Sequence, residues 1–360
     1  MTANSRLASV DALRGLTVAA MLLVNNPGDW DHVFWPLEHA AWNGCTPTDL
    51  IFPFFLLIAG ASLSLATGGR WSRGEPAGLV LPPLLKRALK VFVLGLVLHL
   101  LAWWLMDKPQ YRLMGVMQRI GLCLAFAALL GTAWRSERAR WGGLAVLLLG
   151  YGGLMTWGGA WGAGWEPQTN LASRLDSLIL GRWNYQWDAA TGLGHDPEGL
   201  LSTLGALAST VLGLIAGERL RQGRGRSLWM PAALLLLLGA LATQWVPWNK
   251  QLWTPSFVLW TGGWAFAALA LAYELVDRRG LPPLGRAFGV NAMAAYAGAW
   301  MCTVFLEGFG WMGPLYRSVF APVGALVGPE VQSLGFALAF VAVWSFIVWA
   351  LDRRGWYWKL

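Results

Sequence analysis

The chain has 360 residues, 56% hydrophobic and only 13% charged, about half the charged share of an ordinary soluble domain. Its net charge of +8 would suit nucleic acid, but the Lys and Arg sit mostly in short segments between apolar runs, so no basic nucleic-acid face is built. Twenty-five Trp in such a background indicate a multi-spanning membrane protein with Trp crowding both interfaces.

Apolar runs of about 17–25 residues predict ten membrane helices near 10–26, 49–67, 86–105, 113–134, 141–157, 200–218, 228–246, 254–275, 286–305 and 333–351. The fold class expected is all-α and polytopic, one transmembrane domain over 1–360. The first run is short and carries Asp11 and Arg14 at its start. These two also interrupt what would otherwise resemble a signal peptide, and no small-x-small cleavage site follows.

Alternate connecting segments hold twenty of the 27 Lys and Arg, from Arg6 and Arg14 at one end to Arg353, Arg354 and Lys359 at the other. The positive-inside rule then puts both termini in the cytoplasm and the chain in the inner (plasma) membrane. Segments 27–48, 158–199, 247–253 and 306–332 face outward. The outward segments include the long ones, and 158–199 is expected to hold a short helix, LASRLDSLIL, at 171–180. Chemistry on an extracytoplasmic substrate is the natural inference.

The segment 27–48 carries two of the four His, His32 and His39, with Asp29, Asp31, Glu38, Trp42, Asn43 and Cys45, and Asp49 opens the next helix. It is too long and chemically loaded for a connector, and it is the candidate active-site loop, although Trp30, Trp35 and Trp42 would also serve as interface anchors. Thr46, Thr48 or Asp49 can cap the following helix, with Pro47 at its first turn. A His titrates near physiological pH, so His39 can act as a neutral base. His195 and Asp196 lie in HDPEGLLS before the sixth helix, where Glu198 can simply complement the helix N-terminus.

Polar groups at membrane depth need a partner or a function. Asp11 and Arg14 are spaced for a local ion pair. His99 reads as a hydrogen-bonded packing residue. Gln118 and Arg119 sit inside the fourth helix, where the Arg needs a partner or a polar cavity shared with an anionic ligand. Asn25 and Asn26 end the first helix, and Asn291 lies within the ninth. The three Cys, Cys45, Cys123 and Cys302, are too scattered for a metal or disulfide framework, and no metal site is expected. Cys45 as a nucleophile paired with His39 is a minor alternative. Arg219, Arg221, Arg224 and Arg226 are spaced to meet phosphates from the cytoplasm, or simply to set topology.

VDALRGLTVAAMLLVNNPGDW and HAAWNGCTPTDLIFPFFLLIAG, then RLMGVMQRIGL, DPEGLLSTLGALASTVLG, NKQLWTPSFVLWTGG and GVNAMAAY, resemble the heparan-alpha-glucosaminide N-acetyltransferase family in that order along nearly the whole chain. The His-x-x-Trp-Asn-Gly block followed by Thr-Asp-Leu and Phe-Pro is the most specific. The resemblance implies acetyl transfer from cytoplasmic acetyl-CoA to the amino group of an amino sugar or glycan across the membrane. It places the family's catalytic His on His39 and its active-site Asn on Asn25. Asp49, Asn43, Trp42, His195, Asp196, Asn249, Lys250 and Asn291 are the supporting or substrate-binding candidates. Arg119, Gln118 and Arg14 are the candidates for holding acetyl-CoA. Either Asp49 or Asp196 can orient His39. The partners expected are membrane lipid and the acceptor sugar; a homodimer would be compatible and nucleic acid is not expected. O-acylation of a surface polysaccharide, a sugar or metabolite transporter, and a non-catalytic envelope protein are the competing readings. The Asn-Pro-Gly-Asp-Trp turn after the first helix departs from the family's shorter, Gly-rich one.

Overall fold

The computed structural model describes residues 7–158 and 164–358. Arg6 and Lys359, counted above as topology signals, and residues 159–163 of the second long loop lie outside them. The regular secondary structure of the described residues is helical apart from one two-stranded hairpin, β1 (Gln186–Asp188) against β2 (Leu193–His195). The helices are α1 (Ala8–Val24), α2 (Ile51–Ser72), α3 (Ala77–Leu105), α4 (Val116–Ala133), α5 (Glu137–Gly158), α6 (Leu171–Leu180) and α7 (Thr203–Arg221). They continue with α8 (Trp229–Ala242), α9 (Pro255–Ala272), α10 (Arg286–Val290), α11 (Ala292–Gly308), α12 (Met312–Val327) and α13 (Pro329–Arg353).

Among the described residues seven helices are long and apolar enough to span a membrane, or eight if the sharply bent pair α11 and α12 counts as one, where ten were expected. The difference lies at α1 and α5. Helix α1 has 17 residues, about 26 Å at 1.5 Å per residue, short of a hydrocarbon core of about 30 Å. Helix α5 is diluted by glycines and opens on Glu137, Arg138 and Arg140. The expected ninth span is also interrupted. Asn291 ends α10 and begins α11 with non-helical backbone. Segment 306–332 was expected to be a loop, yet it contains α12, which turns 95° from α11. Helix α3 begins at Ala77, nine residues earlier than the apolar run, and carries Pro82 and Pro83 within it.

Helix α7 is the axis of the bundle and is buried on nearly every side. Its Gly213 and Gly217 are four apart and so lie on one face. A Cβ on Gly213 would stand 2.0 Å from the Leu57 carbonyl of α2, and one on Gly217 2.4 Å from the Ala61 carbonyl. Gly60 of α2 returns the contact, 2.1 Å from the Thr210 carbonyl. Helices without side chains at the crossing can bring their backbones together, which is how membrane helices gain packing where the hydrophobic effect is silent. Helices α3, α8 and α13 lie outside this centre and present their leucines, valines and tryptophans outward.

The first two helices are antiparallel neighbours, since Arg14 near the start of α1 donates to Ser62 Oγ in the second half of α2 at 2.7 Å, while Phe55 near the start of α2 packs against the cluster of Val18 and Leu22 near the end of α1. The end of α1 and the start of α2 therefore share one end of the bundle, together with everything the 27–48 loop carries. Thr303 of α11 donates to Asn26 Oδ1 at 2.6 Å, and Ser333 of α13 bonds both Asp29 and Gly28, so both helices reach that same end.

Candidate active site

The entry to α2 is built as a capping box. Asp49 Oδ2 accepts from the Thr46 and Ala40 backbone N–H groups at 3.0 and 3.1 Å, and Thr46 Oγ1 lies 3.1 Å away. Pro47 occupies the first turn, where its missing N–H costs nothing. Folding back the loop in this way fixes Asp49 with 0% exposure. Its second oxygen, Oδ1, is 2.8 Å from His39 Nδ1, while the His39 side chain stays 45% exposed. A carboxylate only accepts, so Nδ1 carries the proton and Nε2 keeps its lone pair.

Lys250 arrives from the far side of the chain. Its Nζ lies 2.9 Å from His39 Nδ1, 3.2 Å from Nε2 and 3.4 Å from Asp49 Oδ1. With Nδ1 already donating to Asp49, Nε2 is the nitrogen left to accept from the lysine. Burial pushes the Lys250 ammonium below the usual lysine range, against the pull of Asp49 and Glu198. Asn249 next to it is sealed in the interior. It donates to Asn43 Oδ1 at 3.1 Å and accepts from Leu252 N at 2.8 Å, tying the 247–254 turn to the His39 loop. Cys45 is no rival nucleophile, because burial pushes its thiol up to about 12, away from the reactive thiolate.

A second polar layer lies behind this one. Arg112 bonds Asp196 through two nitrogens, Nε at 3.1 Å and Nη2 at 2.6 Å, and also binds Glu198. Its guanidinium covers the Tyr185 ring at 4.3 Å. Burial raises the Glu198 carboxyl, but Arg112, with Arg119 and Lys250 beyond, holds it below the usual range. Glu198 is thus an ion-pair partner as well as a neighbour of α7, and Asp196 is committed to Arg112, which leaves Asp49 as the carboxylate that orients His39. The sequence signal that marks Arg112 is its position as a cation in an outward segment otherwise poor in them.

The other candidates are placed as follows. Trp42 donates from Nε1 to the Trp165 carbonyl at 2.9 Å and meets His195 edge-on with ring centres 5.1 Å apart. His195 is buried, its Nδ1 2.8 Å from Ser173 Oγ, and burial holds it below the usual histidine range. Helix α6 forms over the predicted residues, with Asn170 capping it through Ser173 N at 2.9 Å. Asn25 ends α1 with its side chain exposed at the His39 end, but no hydrogen bond joins it to His39 or Asp49 among the described residues. Asn291 is buried and donates to Ala287 one turn back at 3.2 Å, rather than across to another helix. Its short helix α10 packs where Gly289 meets the Asp11 carbonyl, toward the opposite end of α1.

Of the three residues expected to hold acetyl-CoA, two are sealed inside the protein and Arg14 is only partly covered. Gln118 and Arg119 are both 0% exposed. Arg119 binds Gly199 O and Ser202 Oγ, and its guanidinium lies 5.3 Å from the Trp253 ring, so it clamps the start of α7. Arg14 pairs with Asp11 at 3.1 Å and also donates to the Gly289 carbonyl at 3.0 Å, with 20% of its side chain exposed. His99 hydrogen-bonds the Arg112 carbonyl at 2.9 Å, a packing role as expected.

Residues 6–156 match the family model described as heparan-alpha-glucosaminide N-acetyltransferase, catalytic. The human heparan-alpha-glucosaminide N-acetyltransferase is 28% identical over 422 aligned residues, covering 99% of this chain and 60% of the relative. The mouse enzyme of the same name is 26% identical over 419, covering 99% and 61%. The chain thus spans about three fifths of the length of these curated relatives. The matched segment contains α1, the His39 loop, Asp49 and all of α2 to α4. The resemblance carried by the sequence blocks is therefore shown: this chain is similar, over almost its full length, to the heparan-alpha-glucosaminide N-acetyltransferase family.

Proposed function

We propose that the protein is a membrane acyltransferase that moves an acetyl group from cytoplasmic acetyl-CoA to the amino group of an amino sugar or glycan on the outer side. One observation carries this reading: the half-exposed His39 imidazole is held by the sealed Asp49 carboxylate at 2.8 Å, inside the sequence block on which the family resemblance is strongest.

The chemistry follows from the tautomer. Asp49 keeps the proton on Nδ1, so Nε2 is the basic nitrogen, and it is freed for the acceptor when Lys250 turns from it to the carbonyl oxygen. Nε2 takes a proton from the acceptor amine as its nitrogen attacks the thioester carbonyl, and the coenzyme thiolate leaves and receives that proton from the imidazolium. In the two-step version Nε2 attacks the thioester carbonyl first and expels the coenzyme thiolate; the amine then attacks the acetyl-imidazole, Nε2 leaves with its lone pair restored, and the amine's proton passes to the thiolate. Asp49 stabilises the imidazolium in either case. Lys250, whose Nζ sits beside the ring, supplies a cation where the carbonyl oxygen gains charge, and Asn25 is the further donor proposed for that oxygen. The site fits a thioester: an accessible imidazole edge, a neighbouring ammonium and no competing reactive thiol. Arg14 is the proposed donor contact that keeps an accessible surface. The His39 loop faces the periplasm or exterior in this reading, as the basic segments at the opposite end require.

The test is transfer of label from radioactive acetyl-CoA to glucosamine by purified protein. Wild type labels the sugar and His39→Ala, shown folded by its melting transition, does not. Full transfer by folded His39→Ala overturns the assignment.

A further inference from the structure

The basic end of α7 is not used by the His39 site, and one of its arginines, Arg224, lines a cleft together with Arg135. The ends of α2 and α7 and the start of α5 enclose a cleft of about 420 Å³, whose lining includes Ser72, Arg135, Ser136, Glu137, Glu218 and Arg224. It lies at the opposite end of the bundle from His39, because α2 begins beside His39 and ends at Ser72. The separation is 22 residues of α2, about 33 Å at 1.5 Å per residue.

The charge balance in the cleft is uneven. Glu137 is matched by Arg219, whose Nε and Nη2 lie 2.9 and 2.6 Å from Oε1. Glu218 is matched by Arg221, at 3.0 and 2.6 Å to its two oxygens. Both acids are thus neutralised before Arg135 and Arg224 are counted. Among the described residues Arg135 makes a single side-chain hydrogen bond, from Nε to the Thr132 carbonyl at 3.3 Å. Arg224 gives Nε and Nη2 to Gln222 and shares Glu137 at 3.1 Å, leaving Nη1 without an acceptor among the described residues. Two exposed guanidinium groups therefore bring unused donors to one cleft. Ser136 adds to this, since it caps α5 by accepting from Ala139 N at 3.1 Å, and the first turn of that 22-residue helix opens beside it. Guanidinium forks with a helix N-terminus are the combination that recognises phosphate oxygens.

We infer that this cleft binds a phosphate-bearing molecule, held by Arg135 and Arg224. The phosphate has two sources at this position, a soluble nucleotide or an anionic phospholipid headgroup, since clusters of arginine at a membrane surface recognise either. The inference does not depend on acetyl transfer at His39.

The experiment uses the full chain purified in detergent. Equilibrium binding of radiolabelled ADP is measured, and retention of phosphatidylglycerol against phosphatidylcholine is read by native mass spectrometry. Wild type binds one of the anionic probes saturably. Arg135→Gln and Arg224→Gln each weaken that binding about tenfold, as loss of a charged hydrogen-bond donor should. Arg135→Gln disturbs only the Thr132 bond, and in Arg224→Gln the Glu137 carboxylate keeps Arg219, so both variants fold; Arg224→Lys, which keeps charge without the fork, gives intermediate binding. Saturable ADP binding identifies a nucleotide site, and selective phosphatidylglycerol retention identifies a lipid site. The inference is overturned if neither probe binds saturably, or if binding is the same in wild type and both Gln variants.

Discussion

Replacing Asp49 with Asn isolates the orienting role of the carboxylate from its size. In the native loop one oxygen accepts from Ala40 N and Thr46 N at 3.1 and 3.0 Å, and the other from His39 Nδ1 at 2.8 Å. An Asn side chain has one carbonyl oxygen. If that oxygen keeps the two backbone donors, the amide NH₂ points at His39 and donates to Nδ1. The imidazole then carries its proton on Nε2, where the substrate proton should go, and the base is lost. The same change of tautomer in a serine-protease triad costs on the order of 10⁴-fold in turnover, about 5.5 kcal/mol of barrier at 1.36 kcal/mol per decade. Because Asp49 is wholly buried, water cannot take over its role. The assay is acetyl transfer to glucosamine at saturating acceptor, alongside a melting curve. We expect turnover to fall by 10³-fold or more with the capping hydrogen bonds, and so most of the stability, kept. Turnover within threefold of wild type in folded Asp49→Asn would refute the argument that Asp49 sets the tautomer.

Three further outcomes follow from the packing. Arg112→Ala strands Asp196 and Glu198 without their cation, which should cost about 3–5 kcal/mol and appear as a lowered melting temperature in detergent. Gly213→Ala places a methyl 2.0 Å from the Leu57 carbonyl, so α2 and α7 must separate; a loss of roughly 1–3 kcal/mol is expected in the same assay, while Gly142→Ala, which meets nothing within 4 Å, leaves it unchanged. Asp176 is sealed, and burial pushes its carboxyl up to about 7 from 3.8. Between those values the folded state keeps a proton that the unfolded state has released, so stability falls as pH rises from about 4 to about 7 and stays reduced above. Asp176→Asn should therefore raise the melting temperature at pH 8 and have little effect at pH 4; equal effects at both would contradict the assignment.

Much of this protein is readable along the chain because the signals are local. Runs of apolar residues mark the spans, Thr46-Pro47-x-Asp49 marks the start of α2, and LASRLDSLIL marks α6, since capping and hydrophobic patterning involve residues a few positions apart. His39 stands out for the same reason, in a loop too rich in chemistry to be a connector. The choice of its partners is not local. Asp49 and Asp196 were equal candidates until Arg112, 84 positions before Asp196, proved to hold the second. Lys250 reaches His39 across 211 positions, brought there by the turn that Asn249 pins to Asn43. Arg119 reads as a ligand-seeking cation in sequence, yet packing encloses it against Gly199 and Ser202. The break at Asn291 and the turn into α12 likewise escape hydropathy, because an apolar run reports how readily a segment enters lipid and says nothing of where its backbone bends. Composition thus determined that the chain enters a membrane and where chemistry gathers. Which charges pair, which are sealed and which remain open to a ligand was decided only when glycine-lined helices such as α2 and α7 brought distant segments within hydrogen-bond reach, since those pairings depend on three-dimensional distance and not on spacing in the chain.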